Sequence, residues 1–341
     1  MYFDTLLLIL FLVTCINLHT EVEVKLTKRA YMCICSSPSF VLQSIHLFFQ
    51  LKRFSSNKGV YVILYTGRDL DEEYLKVINF FGIQVEKCAA KSEMIKTRDD
   101  ALKSKLLVWT MEKYDCIVLL DTDMLVRSNI DELFDLNYLM SAVPCIHEKE
   151  KIVFHDPDPS WDLLKETKEI EDLIPVNVLN DSIFNLKKIT SLKVHHTGLN
   201  AGVMVLKPSM YIYEELVKIS KTISQRLCCP IQELLYRYFE SRGAYHRLHW
   251  VYNCRHFNYL TPSEKLEAVE NSKIYHFVER KKPFCSPFRD EDLFHQEWWA
   301  SFDELWTKIC NLYMTRKTAS FASKLNSLHE MNWLKVEDNC E

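Results

Sequence analysis

Residues 30–65 are "AYMCICSSPSFVLQSIHLFFQLKRFSSNKGVYVILY", and their pattern of apolar residues indicates the fold class. Two short apolar runs, residues 30–35 and 60–65, flank a run at residues 40–53 that has the length and apolar spacing of a buried helix. Parallel strands need a crossover connection between them, and a helix usually provides it. The stretch therefore predicts a strand–helix–strand unit of a parallel sheet.

The same alternation continues along the chain. Residues 71–81, "DEEYLKVINFF", predict a helix and residues 83–87, "IQVEK", predict a strand. Residues 98–114 then predict another helix before the apolar strand at residues 116–120. We therefore expect an α/β fold with a Rossmann-like, mostly parallel sheet flanked by helices, in a single domain over residues 30–314.

The composition of the chain disfavours some classes of function. A chain of 341 residues with 48% hydrophobic content can bury one large core. Its formal net charge of -4 does not indicate the positively charged surface that nucleic-acid binding requires, and we predict that it has no nucleic-acid partner. The twelve cysteines form neither a zinc pattern nor a disulfide framework. Cys33, Cys35 and Cys116 lie in predicted strands, where we expect them to pack in the core.

The two ends of the chain are predicted to differ from the domain. Residues 6–13, "LLLILFLV", are apolar but too short to span a membrane. We predict a signal peptide at residues 1–20 and targeting to the secretory pathway, either the ER or Golgi lumen or the outside of the cell. If this run is instead a buried first strand, the protein is cytoplasmic. Residues 292–314 predict a long amphipathic helix, and residues 315–341 a C-terminal tail.

Two aspartates, Asp121 and Asp123, directly follow the predicted strand at residues 116–120. Ligands of such sheets bind beyond the carboxyl ends of the strands, and side chains two positions apart on an extended chain point the same way. Carboxylate oxygens suit Mg²⁺ or Mn²⁺, which could hold a diphosphate there. The alternative is that the aspartates only cap a turn.

Three segments together resemble a known family. They are "KLLVWTMEKYDCIVLLDTDMLVRSNIDELF" at residues 105–134, "NAGVMVLKPS" at 200–209 and "IYHFVERKKPF" at 274–284. Their order and approximate spacing are similar to those of glycosyltransferase family 8, and above all to its glycogenin-like branch. The resemblance covers about residues 30–284. It implies a GT-A-type fold and a retaining hexosyltransferase that moves a sugar from a UDP-sugar donor to a hydroxyl acceptor with Mn²⁺, or with Mg²⁺.

The resemblance also implies roles for individual residues. The metal ligands would be Asp121, Asp123 and His276. The donor-binding positions would be Ser36, Phe40, Lys105, Asp121, Thr122, Asp123, Asn200, Ala201, Gly202, Gln232 and Lys282. The catalytic positions would be Gln232, Asp158 and Lys105. Without the resemblance, His276 would be taken for a packed core histidine, and the two lysines for solvated surface residues.

The chain departs from the family pattern at several positions, of which Ile231 and Glu279 bear most on function; the others are Cys228 in place of an aspartate and Phe284 in place of a tryptophan. Family members carry an Asp-Gln pair at the start of a helix, whereas residues 226–239, "RLCCPIQELLYRYF", keep Gln232 and have Ile231 in place of the aspartate. Glu233 could supply the missing charge if the helix were shifted by one residue. Glu279 stands where the family has a glycine close to the diphosphate. These changes favour an alternative function, an impaired family member that binds a nucleotide sugar without efficient transfer.

The acceptor is the least determined part of this interpretation. Residues 148–194 are longer than their counterpart in compact glycogenin-like enzymes, and we predict that they form an insertion on the acceptor side. The acceptor could be a glycan, a lipid or a protein, and a homodimer is compatible with the family. Tyr259 lies roughly where glycogenin-like proteins glucosylate themselves, although an ordinary packed tyrosine is the more common explanation for an aromatic residue. A third class of function, an unrelated metal-dependent phosphohydrolase, is disfavoured by the segments that follow Asp123.

Overall fold

The structure is a computed structural model. It describes residues 28–67, 69–87, 104–146, 196–220, 230–240, 242–255, 262–278, 282–285 and 292–314. Several of the predicted features lie outside these residues. They are the signal peptide at 1–20, the insertion at 148–194, which contains Asp158, the tail at 315–341, and the single residues Tyr259 and Glu279. The helices and strands of the described residues are numbered in chain order.

Strands and helices alternate over the first half of the described chain, as the sequence predicts. The strands are β1 (Arg29–Cys35), β2 (Val60–Tyr65), β3 (Gln84–Lys87), β4 (Cys116–Leu120), β5 (Met124–Val126), β6 (Met140–Ile146), β7 (His196–Leu206), β8 (Tyr245–Arg247) and β9 (Ile274–His276). The α-helices are α1 (Pro38–Phe54), α2 (Glu72–Phe80), α3 (Met210–Ser220), α4 (Pro230–Glu240), α5 (Pro262–Asn271) and α6 (Leu293–Met314). Short 3₁₀-helices cover Lys105–Thr110, Asp131–Asp135, Trp250–Tyr252 and Pro283–Cys285.

Seven strands form one sheet in the order β3-β2-β1-β4-β7-β6-β8. The first four are parallel to one another, β7 is antiparallel to both of its neighbours, and β6 and β8 are parallel. Strands β5 and β9 form a separate antiparallel pair. The predicted α/β class with a mostly parallel sheet flanked by helices is confirmed. Because β7 runs against β4, the start of β7 lies at the carboxyl end of β4.

Each face of the sheet carries its own apolar core. Alternate residues of β1 point to opposite faces, so that Tyr31 and Cys33 enter one core while Ala30 and Met32 enter the other. The first core is closed by α1 and α6, and the second by α3, α4 and the 3₁₀-helix Lys105–Thr110. Helices on both faces explain why the central strands are apolar throughout instead of alternating with polar residues.

Helix α1 is enclosed on nearly all sides. Every residue from Val41 to Leu51 is buried, because the sheet covers one side and α6 the other. On α6, Trp298 and Trp299 are only 2% and 3% exposed, which confirms that this helix packs against the core as predicted. None of the described helices is both long and apolar enough to cross a bilayer.

One predicted helix differs from the structure. The sequence predicts an α-helix over residues 98–114; residues 98–103 lie outside the described residues, Ser104 is α-helical, and Lys105–Thr110 forms a 3₁₀-helix instead of continuing the α-helix. Four consecutive side chains from Leu106 to Trp109 are buried, and an α-helix with one covered face would have exposed some of them. The tighter turn ends at Met111, whose N–H donates to the carbonyl of Val108.

Candidate donor and metal site

The two aspartates after β4 are held in place by the backbones of two other strands. Strand β4 is buried over its whole length, and Asp121 follows at its carboxyl end. The N–H of Asp121 donates to the carbonyl of Gly202 on β7 at 2.9 Å. The carbonyl of Asp123 accepts from the N–H of Phe277, just after β9, at 3.0 Å. The turn between β4 and β5 is therefore fixed on both sides.

This arrangement brings the predicted metal ligands together. Among the described residues, Asp121, Asp123 and His276 each offer a ligand atom, and these atoms lie within 4.8 Å of one another. His276 is 5% exposed and stands opposite Met124 in the β5–β9 pair, with its Nε2 3.3 Å from Oδ1 of Asp123. Two carboxylates and an imidazole form a donor set that suits Mn²⁺ and accepts Mg²⁺. The residues present therefore fit such an ion.

Two lysines add positive charge around the aspartates. Lys105 Nζ lies 2.8 Å from the carboxylate of Asp121 and donates to the carbonyl of Ala201 at 3.1 Å. Lys282 donates to Oδ2 of Asp123. Burial alone raises the pKa of Asp123, but the charges and hydrogen bonds of His276 and Lys282 outweigh it and hold the pKa well below its usual range. Asp123 is therefore ionised at neutral pH.

The segment Asn200 to Gly202 of β7 passes directly beside the histidine. A Cβ on Gly202 would lie 2.5 Å from His276 Nδ1 and 2.9 Å from Asn200 Oδ1, closer than real Cβ atoms approach such atoms. Glycine is therefore required for His276 to pack against β7. Asn200 is 8% exposed, and its Oδ1 accepts from the N–H of Gly202 at 2.9 Å.

Helix α4 supports the same strand from the other side. Gln232 accepts from the N–H of Ala201 through its Oε1 at 2.9 Å. Ile231 points into the second core and is 4% exposed. Glu233 forms an ion pair with Arg237, and its Oε2 would lie 3.5 Å from a Cβ added at Gly198. The position that the resemblance aligns with the family's aspartate, Ile231, is therefore a core position in this chain.

The remaining predicted donor positions are placed as follows. Ser36 and Phe40 follow β1, which is parallel and adjacent to β4, so they share the sheet edge with Asp121. Phe40 packs partly buried against the first core. Thr122 donates through its Oγ1 to Oε1 of Gln43 at 3.1 Å. Asp158, the other predicted sugar contact, lies outside the described residues.

Three polar residues at this site were missed by the sequence analysis. Gln43 and Gln50 lie two turns apart on α1, and Gln50 Oε1 accepts from the N–H of Val126 at 2.7 Å. Together they hold the segment that contains Asp123 against α1. Asn253 is 1% exposed and stands between Asn200 and His276. The available signal was a polar residue within an apolar run, which indicates burial with a partner but not which partner.

The comparisons with known proteins agree with this geometry. The family described as "Glycosyl transferase family 8" matches residues 32–286. The chain belongs to glycosyl transferase family 8. It is 22% identical over 252 residues to galactinol synthase 1 of Solanum lycopersicum, covering 69% of this chain and 70% of that protein. It is 24% identical over 218 residues to glycogenin-1 of Mus musculus, covering 58% of this chain and 51% of that protein.

Solved structures show the same fold. The galactosyltransferase LgtC in complex with donor and acceptor sugar analogs superposes with a TM-score of 0.51 at 12% identity, covering 81% of this chain and 95% of that one. The apo form of the glycosyltransferase GlyE of Streptococcus pneumoniae gives a TM-score of 0.53 at 16% identity, covering 85% and 64%. These similarities confirm the predicted GT-A-type fold. Because the chain belongs to glycosyl transferase family 8 and has this fold, it is a glycosyltransferase, as predicted.

Proposed function

We propose that the protein is a retaining hexosyltransferase that transfers a hexose from a UDP-sugar to a hydroxyl acceptor with Mn²⁺, or with Mg²⁺. The observation that supports it most is the cluster of Asp121, Asp123 and His276 at the carboxyl end of β4. Ligands of open α/β sheets bind at this edge, and a divalent ion is the usual partner of a diphosphate.

The chain's own residues would act mainly through charge and position. A Mn²⁺ ion bound at the cluster would supply Lewis-acid stabilisation of the charge that develops on the leaving diphosphate. Lys282 would add a second positive charge to the diphosphate, and Lys105 a positive charge beside the donor sugar. The acceptor hydroxyl would attack from the face that UDP leaves, as the family resemblance implies. Held in this geometry, the two substrates react with a smaller entropic cost.

The donor sugar would lie against β7 and α4. Because the oxygen of Gln232 is engaged by the N–H of Ala201, this side chain would offer the hydrogens of its Nε2 to an oxygen of the sugar. Asn200 and the backbone of Ala201 and Gly202 would line the same surface, and Asp158 would contact the sugar from the insertion. These roles follow from the resemblance together with the positions of the described residues.

A second candidate function is binding of a nucleotide sugar without efficient transfer. The observation that favours it is Ile231, which replaces the family's aspartate with an apolar core residue. A lost electrostatic contact of this kind can reduce the rate by about a hundredfold. The two candidates differ in turnover but agree in the requirement for UDP and a divalent ion.

The experiment combines calorimetry with a donor-hydrolysis assay. UDP binding is measured with and without Mn²⁺, and hydrolysis is measured with UDP-glucose, UDP-galactose, UDP-glucuronate and UDP-N-acetylglucosamine. We expect Mn²⁺-dependent UDP binding and hydrolysis of at least one donor. Asp123→Asn should remove the Mn²⁺ dependence of both while the protein stays folded. Tight binding without hydrolysis would support the second candidate, and no binding of UDP would contradict both.

For the regions outside the described residues, we propose a secretory location and an acceptor in the secretory lumen. The apolar residues 6–13 support a signal peptide at residues 1–20. Expression of the full chain in cells, followed by N-terminal sequencing of the purified protein, tests the cleavage. Intact-mass measurement after incubation with UDP-glucose tests self-glucosylation, which Tyr259→Phe should abolish if that tyrosine is the acceptor.

A further inference from the structure

We propose that Asn253 is a positioning residue that sets the tautomer of His276. Through Asn253 and Asn200, the backbone N–H of Gly202 fixes the ring proton of His276 on Nδ1 and leaves Nε2 to bind the metal. The inference rests on the proposed function, since it takes His276 as a metal ligand. Its central residue, Asn253, belongs to none of the sequence motifs of the site.

The hydrogen-bond partners of Asn200 determine which end of its amide is the oxygen. The amide groups of asparagine have an oxygen and a nitrogen of nearly equal size, and hydrogen-bond partners must decide which is which. A backbone N–H can only donate. The atom of Asn200 that lies 2.9 Å from the N–H of Gly202 is therefore its oxygen, Oδ1.

Asn200 in turn determines the orientation of the Asn253 amide. The same Oδ1 of Asn200 lies 2.9 Å from one end of the Asn253 side chain. Since an oxygen accepts, that end of Asn253 must be its NH₂ group. The other end, which lies 2.9 Å from Nδ1 of His276, is then the oxygen of Asn253.

Asn253 then determines which ring nitrogen of His276 carries a hydrogen. An amide oxygen only accepts, so Nδ1 of His276 must carry the hydrogen that it donates. The ring that binds a metal is neutral and has only this hydrogen, so the proton that a charged ring would hold on Nε2 beside Asp123 leaves, and Nε2 offers a lone pair. Nε2 is the ring nitrogen that faces the cluster, 3.3 Å from Oδ1 of Asp123. The network therefore presents the coordinating nitrogen to the place where the metal would lie.

Because these three side chains are buried, their hydrogen bonds are difficult to replace. Asn253 is 1% exposed, His276 5% and Asn200 8%, so water cannot easily replace a lost partner. The backbone reinforces the arrangement, because the N–H of His276 donates to the carbonyl of Cys254, the residue after Asn253, at 2.6 Å. A residue that orients a metal ligand in this way typically changes metal affinity by about 10- to 100-fold when it is replaced.

The test measures Mn²⁺ binding to the full chain by electron paramagnetic resonance. Asn253→Leu keeps the approximate volume but removes both ends of the amide, and it should weaken Mn²⁺ binding by about 10- to 100-fold. Asn253→Asp keeps an oxygen that accepts from Nδ1 of His276 but places a second oxygen against Oδ1 of Asn200, so it should weaken Mn²⁺ binding less than Asn253→Leu does. Asn129→Leu is the matched control, since the Asn129 amide also bonds at both ends, to the carbonyl of Phe54 and the N–H of Asp131. It should leave Mn²⁺ binding unchanged.

A second readout does not depend on the metal. Nitrogen-15 spectra of histidine-labelled protein, recorded without metal at a pH where imidazole is neutral, identify the tautomer of His276; the His276→Gln variant assigns its signals. We expect the proton on Nδ1 in the wild type and a mixture in Asn253→Leu. A wild-type proton on Nε2 would overturn the inference, even if Asn253→Leu did not fold. Equal Mn²⁺ affinity of a folded Asn253→Leu variant would overturn it as well. Failure of the wild type to bind Mn²⁺ would instead contradict the proposed metal site.

Discussion

Asp131 is the buried carboxylate whose removal should change stability most clearly. It lies after the turn that holds the aspartate pair and is 2% exposed. Its oxygens accept from the hydroxyl of Tyr31 at 2.5 Å, from the hydroxyl of Ser55 at 2.7 Å, and from both the N–H and the hydroxyl of Ser56 at 2.6 Å. The carboxylate thus connects β1, the end of α1 and the 3₁₀-helix Asp131–Asp135.

The magnitude follows from the pKa of this group. Burial raises the pKa of Asp131, but the hydrogen bonds from Ser56, Tyr31 and Ser55 outweigh it and lower the pKa from 3.8 to about 2. A difference of this size corresponds to about 2–3 kcal/mol of folding free energy. Because the folded pKa lies below the unfolded one, this contribution is complete above about pH 4 and is lost as the pH falls towards 2.

The assay is urea unfolding of Asp131→Asn and wild type at several pH values. At neutral pH the variant should lose about 2–3 kcal/mol, and at pH 3 the difference should fall to about half. Asp135→Asn is the control, since Asp135 forms ion pairs with Arg29 and Lys58 but its side chain is 51% exposed, and it should cost less than about 1 kcal/mol. Equal losses in the two variants, or a difference that stays constant down to pH 3, would refute the reasoning.

Two further substitutions test the supports of the metal site. Gln50→Met leaves the N–H of Val126 without its acceptor, so the free energy of unfolding should fall by about 1–3 kcal/mol and Mn²⁺ binding should weaken. Gln296→Met, at an exposed position of α6, is its control, and a similar small loss in both variants would contradict the assigned role. Gly202→Ala should weaken Mn²⁺ binding at least about tenfold, because the added methyl group displaces His276. Paramagnetic resonance measures this binding, and unchanged affinity in a folded variant would show that the ring can move without loss.

The local pattern of the sequence was sufficient to predict β1, α1 and β2 and the edge of the sheet at which the site lies. The apolar run at β1, the helical spacing of α1 and the apolar run at β2 each depend only on nearby residues, and the structure places them where they are predicted. The position of Asp121 and Asp123 follows from the rule that ligands bind at the carboxyl ends of parallel strands. Both inferences use short-range information.

The contacts that complete the site are long-range. Gln50 and Val126 are 76 positions apart, and Asn253 and Asn200 are 53 positions apart. No periodic pattern connects such residues, because their pairing depends on how α1, β5 and β7 pack in three dimensions. His276 was identified through the resemblance alone, and its approach to β7 depends on the missing side chain of Gly202. The sequence indicated that these polar residues are buried with hydrogen-bond partners, but it did not identify the partners.

The direction in which Ile231 points determines whether the altered Asp-Gln pair implies weak catalysis. The replacement by Ile231 argues for weak catalysis only if that position faces the donor, yet Ile231 faces the core. Glu233, one residue beyond Gln232, lies beside Gly198 near the start of β7, the end of that strand which meets the site. Glu233 therefore places a carboxylate, paired with Arg237, near this end of β7.

This geometry predicts that Glu233, not the position before Gln232, carries the charge that matters for turnover. Glu233→Gln should reduce donor hydrolysis by about a hundredfold and leave the affinity for UDP nearly unchanged, because the charge would act on the developing positive charge of the sugar and not on the nucleotide. Glu240→Gln on the same helix is the control, since Glu240 is exposed and pairs with Arg247. If hydrolysis by the Glu233→Gln variant equals that of the wild type, Glu233 serves only its ion pair with Arg237, and the protein's turnover proceeds without a carboxylate from α4.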